Sequence, residues 1–173
     1  DFFKSESCRY EKVKSPAELV AGVLRLREDF DRPRTEIHDG RLRMTFMGQF
    51  LNNPPSVEGW HEGPEWIDTG TLVERINFAS EQLGAAETPG SHSLIRRVLA
   101  DNGGTVTPER LVDLCLDHLG AISVEGDTRS KLIGYAAQGG DLHVRGPELD
   151  ETARRRVCDI VQLAVATPEF QRS

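Results

Sequence analysis

The residues best suited to chemistry lie in one segment, residues 52–68, which mixes acidic, histidine and tryptophan side chains. The candidate binding residues are Glu58, Trp60, His61, Glu62, Glu65, Trp66 and Asp68. Carboxylates with a histidine can bind a divalent cation, and two carboxylates can exchange protons with a substrate. Tryptophans beside carboxylates also suit a glycan, because sugar C–H faces stack on indole rings while the acids accept hydroxyl protons.

The same segment also has a structural interpretation. Its three prolines and two glycines exclude a helix or a central strand and predict an ordered loop, here called the Pro/Trp loop. Both tryptophans of the chain lie in it, so we expect large buried rings to hold the loop down and its acids to face water. We favour this packing role over a catalytic one.

A second pair of candidate ligands, Cys115 and His118, is spaced to share one face of a helix. Cys115 also continues the apolar stripe of Leu111 and Leu119, and no second ligand pair accompanies it, so it is predicted to be a core residue. No nucleophile elbow, phosphate-binding loop or zinc-protease motif is present. We therefore predict no catalytic residues, no metal and no cofactor. The remaining histidines, expected to be exposed in polar connections, are His38, His92 and His143.

Composition excludes several classes of partner. The chain has 173 residues, with 21 Lys and Arg against 28 Asp and Glu, and a net charge of −7. Nucleic-acid binding needs a basic face, but the one dense basic run is Arg154-Arg155-Arg156, whose side chains point in three directions on a helix. No apolar run approaches the ~20 residues that span a bilayer. We predict neither a nucleic-acid partner nor membrane insertion.

Helical periodicity governs the first half of the chain. Ser15-Pro16-Ala17-Glu18 predicts a helix start with a capping box, and Asp68 or Thr69 predicts the start of the third helix. The second helix is predicted over residues 42–51, with Gly48 allowing a close helix crossing. Its expected buried face is Leu42, Phe46, Met47, Phe50 and Leu51. The third helix is expected to bury Leu72, Val73, Ile76, Phe78, Ala79 and Leu83.

The second half has the same helical character. Helices are predicted over residues 91–101, from Thr107-Pro108-Glu109, around Leu132 from Ser123 or Asp127, and over residues 149–166. No segment alternates as a sheet requires. The fold class is therefore all-α, an irregular multi-helix bundle with a long ordered Pro/Trp loop. We expect helical halves at 1–84 and 91–173, a linker at 85–90, and packing as one domain.

Four segments resemble a known bacterial family. They are Val13-Lys14-Ser15-Pro16-Ala17-Glu18-Leu19-Val20, Asn53-Pro54-Pro55-Ser56-Val57-Glu58-Gly59-Trp60, Glu65-Trp66-Ile67-Asp68-Thr69-Gly70-Thr71-Leu72 with Arg75-Ile76-Asn77-Phe78-Ala79, and Thr167-Pro168-Glu169-Phe170-Gln171. Together they are similar to the C-terminal portion of the family called domain of unknown function 1800. Many relatives have Gly-Trp-Pro-Gly-Gly where this chain has Gly59-Trp60-His61-Glu62-Gly63, so no role for His61 carries over.

The resemblance implies the last third of a longer bacterial protein, exported or associated with the cell surface, and supplies no reaction. Our first hypothesis is a non-catalytic structural or protein-interaction domain with a protein partner. One alternative is part of a hydrolytic or polysaccharide-related enzyme, or a glycan-binding protein, that uses the acidic tryptophan loop. Another is a subunit of a larger assembly.

Overall fold

A computed structural model describes residues 12–27, 36–84, 89–99, 104–120, 122–144 and 151–172, and within them the chain is mostly helical. The helices are α1 (Pro16–Arg27), α2 (Glu36–Phe46), α3 (Thr69–Leu83), α4 (Pro89–Leu99), α5 (Pro108–His118), α6 (Gly126–Ala137), α7 (Glu151–Val165) and α8 (Pro168–Gln171). A 3₁₀ helix spans Gly63–Trp66, and two strands are β1 (Gly104–Val106) and β2 (Leu142–Val144). The predicted helical fold class is confirmed. Within these ranges, no helix has the length and apolar character needed to cross a bilayer.

Helix α7 lies at the centre of the bundle. It packs against α3, α4, α5 and α6. Its predicted core residues are all buried: Val157, Ile160, Val161, Ala164 and Val165. Spacings of three and four place these side chains on one broad face, which is why the periodicity alone identifies them.

Two free cysteines complete this core from facing helices. Cys115 of α5 and Cys158 of α7 are both buried. Burial raises the pKa of the Cys158 thiol to about 11 and raises the pKa of Cys115 as well, because a low-dielectric interior disfavours the thiolate. The Nδ1 atom of His118 lies 2.9 Å from the carbonyl oxygen of Leu114 in its own helix. Cys115 is therefore placed as a core residue, as its position in the apolar stripe predicts.

The helix starts follow local capping chemistry. At α1, the N–H of Ser15 donates to the Glu18 carboxylate at 2.8 Å, and the N–H of Glu18 donates to the Ser15 hydroxyl at 3.3 Å. At α3, the Asp68 carboxylate accepts from the N–H groups of Gly70 and Thr71, and the Thr71 hydroxyl accepts from the Asp68 N–H. Asp68, and not Thr69, is the N-cap. Both capping boxes leave fewer N–H groups unsatisfied in the first turn.

Replacing Asp68 with alanine should lower the free energy of unfolding by about 1 kcal/mol, because two N–H groups lose their acceptor. Asp68→Asn retains a side-chain oxygen and should stay closer to the wild type. Urea denaturation of the three proteins measures the difference. Equal losses in both variants would show that the negative charge, and not the acceptor, matters at this position.

The predicted second helix is wrong in its extent and its buried face. Helix α2 ends at Phe46, because Gly48 adopts a φ of 93° and the N–H groups of Gly48 and Gln49 donate to Thr45 and Met44. A glycine in the left-handed region together with these two hydrogen bonds forms a Schellman motif, which ends the helix. Gly48 is thus a helix stop and not a crossing point. Met47 of the predicted face is buried as expected, but Leu42, Phe46 and Phe50 are exposed, and Met44 is buried instead.

Two short strands were not expected from the sequence. β1 and β2 pair antiparallel, with Gly104 opposite Val144 and Val106 opposite Leu142. Strands of three residues are too short to show alternation, although Val106 and Leu142 bury one side of the ladder. A lone two-stranded ladder needs support from a packed neighbour, and β2 contacts α7.

The structure differs from the predictions in the exposure of a few individual side chains. His92 lies on α4 and is partly buried, not exposed, whereas His143 is exposed on β2. Arg156 is not part of a solvated face, because its guanidinium donates to the carbonyls of Ala136 and Gly140 and closes the end of α6. Val73 of α3 is exposed. The His38 side chain, most of the predicted linker (85–88), and residues 100–101 and 149–150 at predicted helix ends lie outside the described residues.

Candidate functional site

The tip of the Pro/Trp loop is a compact turn. The N–H of Gly59 donates to the carbonyl of Ser56 at 3.2 Å, and the N–H of Glu58 donates to the Ser56 hydroxyl at 3.2 Å. Gly59 has a φ of 109°, in the region that favours glycine. Val57, at the tip, is fully exposed. These two hydrogen bonds restrict the backbone of a loop that the prolines already make stiff.

The two tryptophans of the loop have different environments. Trp66 is 5% exposed and ends the 3₁₀ helix just before α3, where its carbonyl accepts from the Thr71 hydroxyl at 3.0 Å. Trp60 is 37% exposed, and its indole N–H donates to the carbonyl of Phe50 at 3.1 Å. The prediction that buried rings hold the loop down is right for Trp66 and wrong for Trp60. The difference arises because Trp66 adjoins the start of a packed helix, whereas Trp60 bonds to a turn at the surface.

An open groove of about 620 Å³ runs beside the loop, and we call it the loop groove. Five of the candidate residues line it: Glu58, Trp60, His61, Glu62 and Trp66. The structure therefore brings most of the predicted site together. Glu65 and Asp68 are not among its lining residues. An open groove with one accessible indole can accept a chain segment or an extended ligand.

Glu65 and Asp68 have local structural roles. Asp68 caps α3, as described above. The Glu65 carboxylate lies 3.3 Å from Nδ1 of His61, and both side chains are exposed. The His61 ring meets the Trp66 ring edge-on, with centroids 5.9 Å apart and planes at 87°. These contacts orient His61 edge-on to the buried Trp66 indole, and they pair the Glu65 carboxylate with His61.

The opposite wall of the groove comes from the start of α1 and the turn after α2. Lys12 pairs with Glu18, and this partner lowers the pKa of the Glu18 carboxyl below its usual value. Gln49 is buried, and its side-chain oxygen accepts from the N–H of Ala17 at 2.8 Å, which gives α1 a second cap. Lys12, Glu18 and Gln49 were missed as site residues. The capping box of Ser15 and Glu18 is visible in the sequence, but its position beside the loop, and the contact of Gln49 with α1, depend on the tertiary structure.

The arrangement of acids favours some chemistries over others. Within the described ranges, no group of three or more His, Cys, Asp and Glu side chains is placed to hold a metal ion. The cation-binding alternative therefore has no donor set among these residues. What remains is an accessible indole beside the Glu58 and Glu62 carboxylates, a surface suited to a polypeptide or a glycan.

A second feature joins the two ends of the described chain, and we call it the terminal clasp (Val13, Lys14, Arg75, Phe170 and Gln171). Val13 forms a β-bridge with Arg172, and the N–H of Lys14 donates to the carbonyl of Gln171 at 3.0 Å. Beneath them, Nε of Arg75 donates to Oε1 of Gln171 at 2.9 Å and Nη2 to the carbonyl of Lys14 at 2.7 Å. Gln171 donates in turn to the Val165 carbonyl at 3.0 Å.

Arg75 is the most unusual residue of the clasp. It is 0% exposed, and burial lowers the pKa of its guanidinium to about 10, which still leaves it charged at neutral pH. The sequence gives no sign of this burial, because an arginine within an amphipathic helix is ordinarily assigned to the solvated face. Its partners lie 61 and 96 residues away along the chain.

Most of the segments that carry the family resemblance meet in these two places. The N-terminal helix start, Arg75 and the closing segment form the clasp, while the loop segments form the groove and the start of α3. A family model described as protein of unknown function (DUF1800) matches residues 1–172. Neither the curated proteins nor the solved structures include a match to this chain.

Proposed function

The chain belongs to the DUF1800 family of proteins of unknown function, and from this premise we propose that it is a non-catalytic structural and protein-interaction domain of an exported bacterial protein. One observation carries the proposal: most polar side chains of the family-like segments bond within the chain, to each other or to the backbone. A catalytic signature would instead leave several of these groups unengaged at a shared cavity, whereas Ser15 and Glu18, which line the loop groove, are engaged in the cap of α1.

The internal bonds account for these polar residues one by one. Ser15 and Glu18 cap α1, and Asp68 caps α3. The Thr167 hydroxyl accepts from the Phe170 N–H and donates to the Ala164 carbonyl, so it caps α8. Arg75 is bonded to Gln171. Each group stabilises a helix end or a chain end, which is the work of a scaffold.

The surface offered to a partner combines the exposed side of the loop with the turn before it, and we call it the loop surface (Phe50, Val57 and Trp60). Trp60 and Phe50 are joined by the indole hydrogen bond, and Val57 lies in the Ser56–Gly59 turn that directly precedes Trp60. All three side chains are exposed although they are large and apolar. Neighbouring exposed apolar side chains mark interaction surfaces, and a rigid loop loses little entropy on binding.

Substitutions on the loop surface should abolish capture of a native partner. The intact chain is immobilised and exposed to the extracellular and envelope fractions of its source bacterium, and bound proteins are identified by mass spectrometry. We expect one partner to bind wild type and to bind Trp60→Ala at least about tenfold more weakly, because exposed tryptophans are typical hot spots. Val57→Asp should abolish its binding.

Tyr135→Ala serves as the matched control, since Tyr135 is an exposed aromatic residue on α6. It should retain the partner. Binding that is unchanged by both loop substitutions, or the absence of any specific partner, would contradict the interaction part of the proposal. The structural part of the proposal is tested separately, by the free energy of unfolding of variants in the terminal clasp.

Glycan binding is the second candidate function, and the exposed Trp60 ring beside Glu58 and Glu62 favours it. Sugars stack on such rings while carboxylates accept their hydroxyl protons. Titration of the chain with bacterial cell-wall polysaccharide should then change the fluorescence of Trp60, and Glu58→Gln should reduce the effect. No change on titration would reject this candidate.

A further inference from the structure

A second cleft, of about 310 Å³, lies between α1 and the C-terminal end of the chain, and we call it the α1 cleft. Its lining is mainly apolar, with Leu19, Val23, Leu26, Leu119 and Phe170. This volume is at the lower end of the range for small-molecule sites and is too small for a folded partner. The cleft lies apart from the Pro/Trp loop: of the described residues, Glu18 alone lines both it and the loop groove.

The charged side chains of the α1 cleft are mostly cationic. Among the residues that the structure describes, Lys14, Arg25 and Arg97 line it together with one carboxylate, Glu18. Glu18 is engaged by Lys12 and by the N–H of Ser15, and Arg97 donates to the carbonyl of Leu26. The cleft is thus locally positive on a chain whose net charge is −7. A positive, apolar cleft on an acidic protein favours an anionic ligand with an apolar part.

Lys14 lines the cleft and has a second cation, Arg75, as a neighbour, and the charge of Glu18 acts on both. Lys14 is partly buried, its Nζ donates to the Phe170 carbonyl at 2.7 Å, and it lies 4.8 Å from the centre of the Phe170 ring. The Nη1 atom of the buried Arg75 has no hydrogen-bond partner among the described residues. No carboxylate among the described residues forms an ion pair with either cation. Buried charges are normally paired, so the Lys14 ammonium, which lines the cleft, leaves room for an anion from outside.

The pKa of Lys14 is consistent with that geometry. Burial lowers it first, and the neighbouring charge of Arg75 lowers it further, while Glu18 opposes the change. An ammonium has three N–H donors, and the Phe170 carbonyl occupies one of them. Donors therefore remain for a carboxylate at the cleft.

We propose that the α1 cleft binds a small organic carboxylate, with its charged group at Lys14 and its apolar body against Leu19, Val23 and Phe170. The apolar lining distinguishes this ligand from an inorganic anion, which would bind charge alone. The cationic lining distinguishes it from a neutral lipid or an alcohol. Octanoate is a suitable probe because it has one carboxylate and a short, unbranched apolar body.

Gly22 provides a way to fill the cleft without disturbing the fold. It lines the cleft on the exposed side of α1, and a Cβ atom added there would meet nothing within 4 Å. Leucine is a much better helix former than glycine, so Gly22→Leu should fold and occupy the space. Gly134, exposed on α6, is equally open to an added Cβ, and Gly134→Leu is the matched control.

Isothermal titration calorimetry of octanoate into the intact chain tests the proposal. We expect saturable binding to the wild type and to Gly134→Leu, no detectable binding to Gly22→Leu, and about tenfold weaker binding to Lys14→Met or Arg25→Gln. Acetate and octanol should bind far more weakly than octanoate, because each lacks one half of the recognised chemistry. Failure of octanoate to bind, binding unaffected by Gly22→Leu, or equal binding of octanol would overturn the proposal. None of these results depends on whether the loop surface has a protein partner.

Discussion

Replacing Arg75 with alanine should lower the free energy of unfolding by about 3 kcal/mol, the largest loss we expect from any single polar residue of this chain. The side chain is fully buried and bonds to Gln171 and to the Lys14 carbonyl. Truncation leaves these two acceptors without their donor and leaves a cavity in their place. Urea denaturation followed by circular dichroism measures the loss.

Two further variants separate the possible causes of that loss. Arg155→Ala is the control, because Arg155 is exposed and its ion pair with Glu151 is long, at 3.6 Å; its effect should be within about 0.5 kcal/mol. Arg75→Met keeps much of the volume and removes a charge that has no carboxylate partner, so it should cost less than alanine. A loss below about 1 kcal/mol for Arg75→Ala would show that the clasp does not hold the chain ends together.

Replacing Trp66 with alanine should cost about 3–5 kcal/mol, as expected for a large aromatic residue removed from a packed site. Trp60→Ala should cost less than about 1 kcal/mol, because this ring is partly exposed and bonds only through its indole N–H to the Phe50 carbonyl. The two variants are matched in chemistry and in their place in the loop. Equal losses would contradict the different roles that the structure assigns to the two rings.

Local chemistry explains which parts of the fold could be predicted. The helix starts at Ser15, Asp68 and Thr107 follow from side chains that bond within three residues, so the sequence alone identifies them. The buried stripe of α7 follows from spacing. The end of α2 was mispredicted, because the apolar residues after Gly48 continue a helical spacing that the backbone of this glycine breaks.

Tertiary contacts explain what could not be predicted. The burial of Arg75 depends on partners from both ends of the chain, which no periodicity reveals. The loop groove was predicted in part: Glu58, Trp60, His61, Glu62 and Trp66 do line it together. Its second wall requires the start of α1 to lie beside the loop, and a turn bond to Phe50 determines the exposure of Trp60. Neither relation is encoded within a short window of sequence.

The central claim is that Trp66 is buried and anchors the loop beside α3, while Trp60 is held at the surface by its bond to Phe50. Acrylamide quenching of the two single-tryptophan variants, Trp60→Phe and Trp66→Phe, tests it directly in the intact chain. We expect the variant that retains Trp66 to have blue-shifted emission and to resist quenching, and the variant that retains Trp60 to be quenched readily. Equal quenching of both, or a protected Trp60 with an accessible Trp66, would contradict the account.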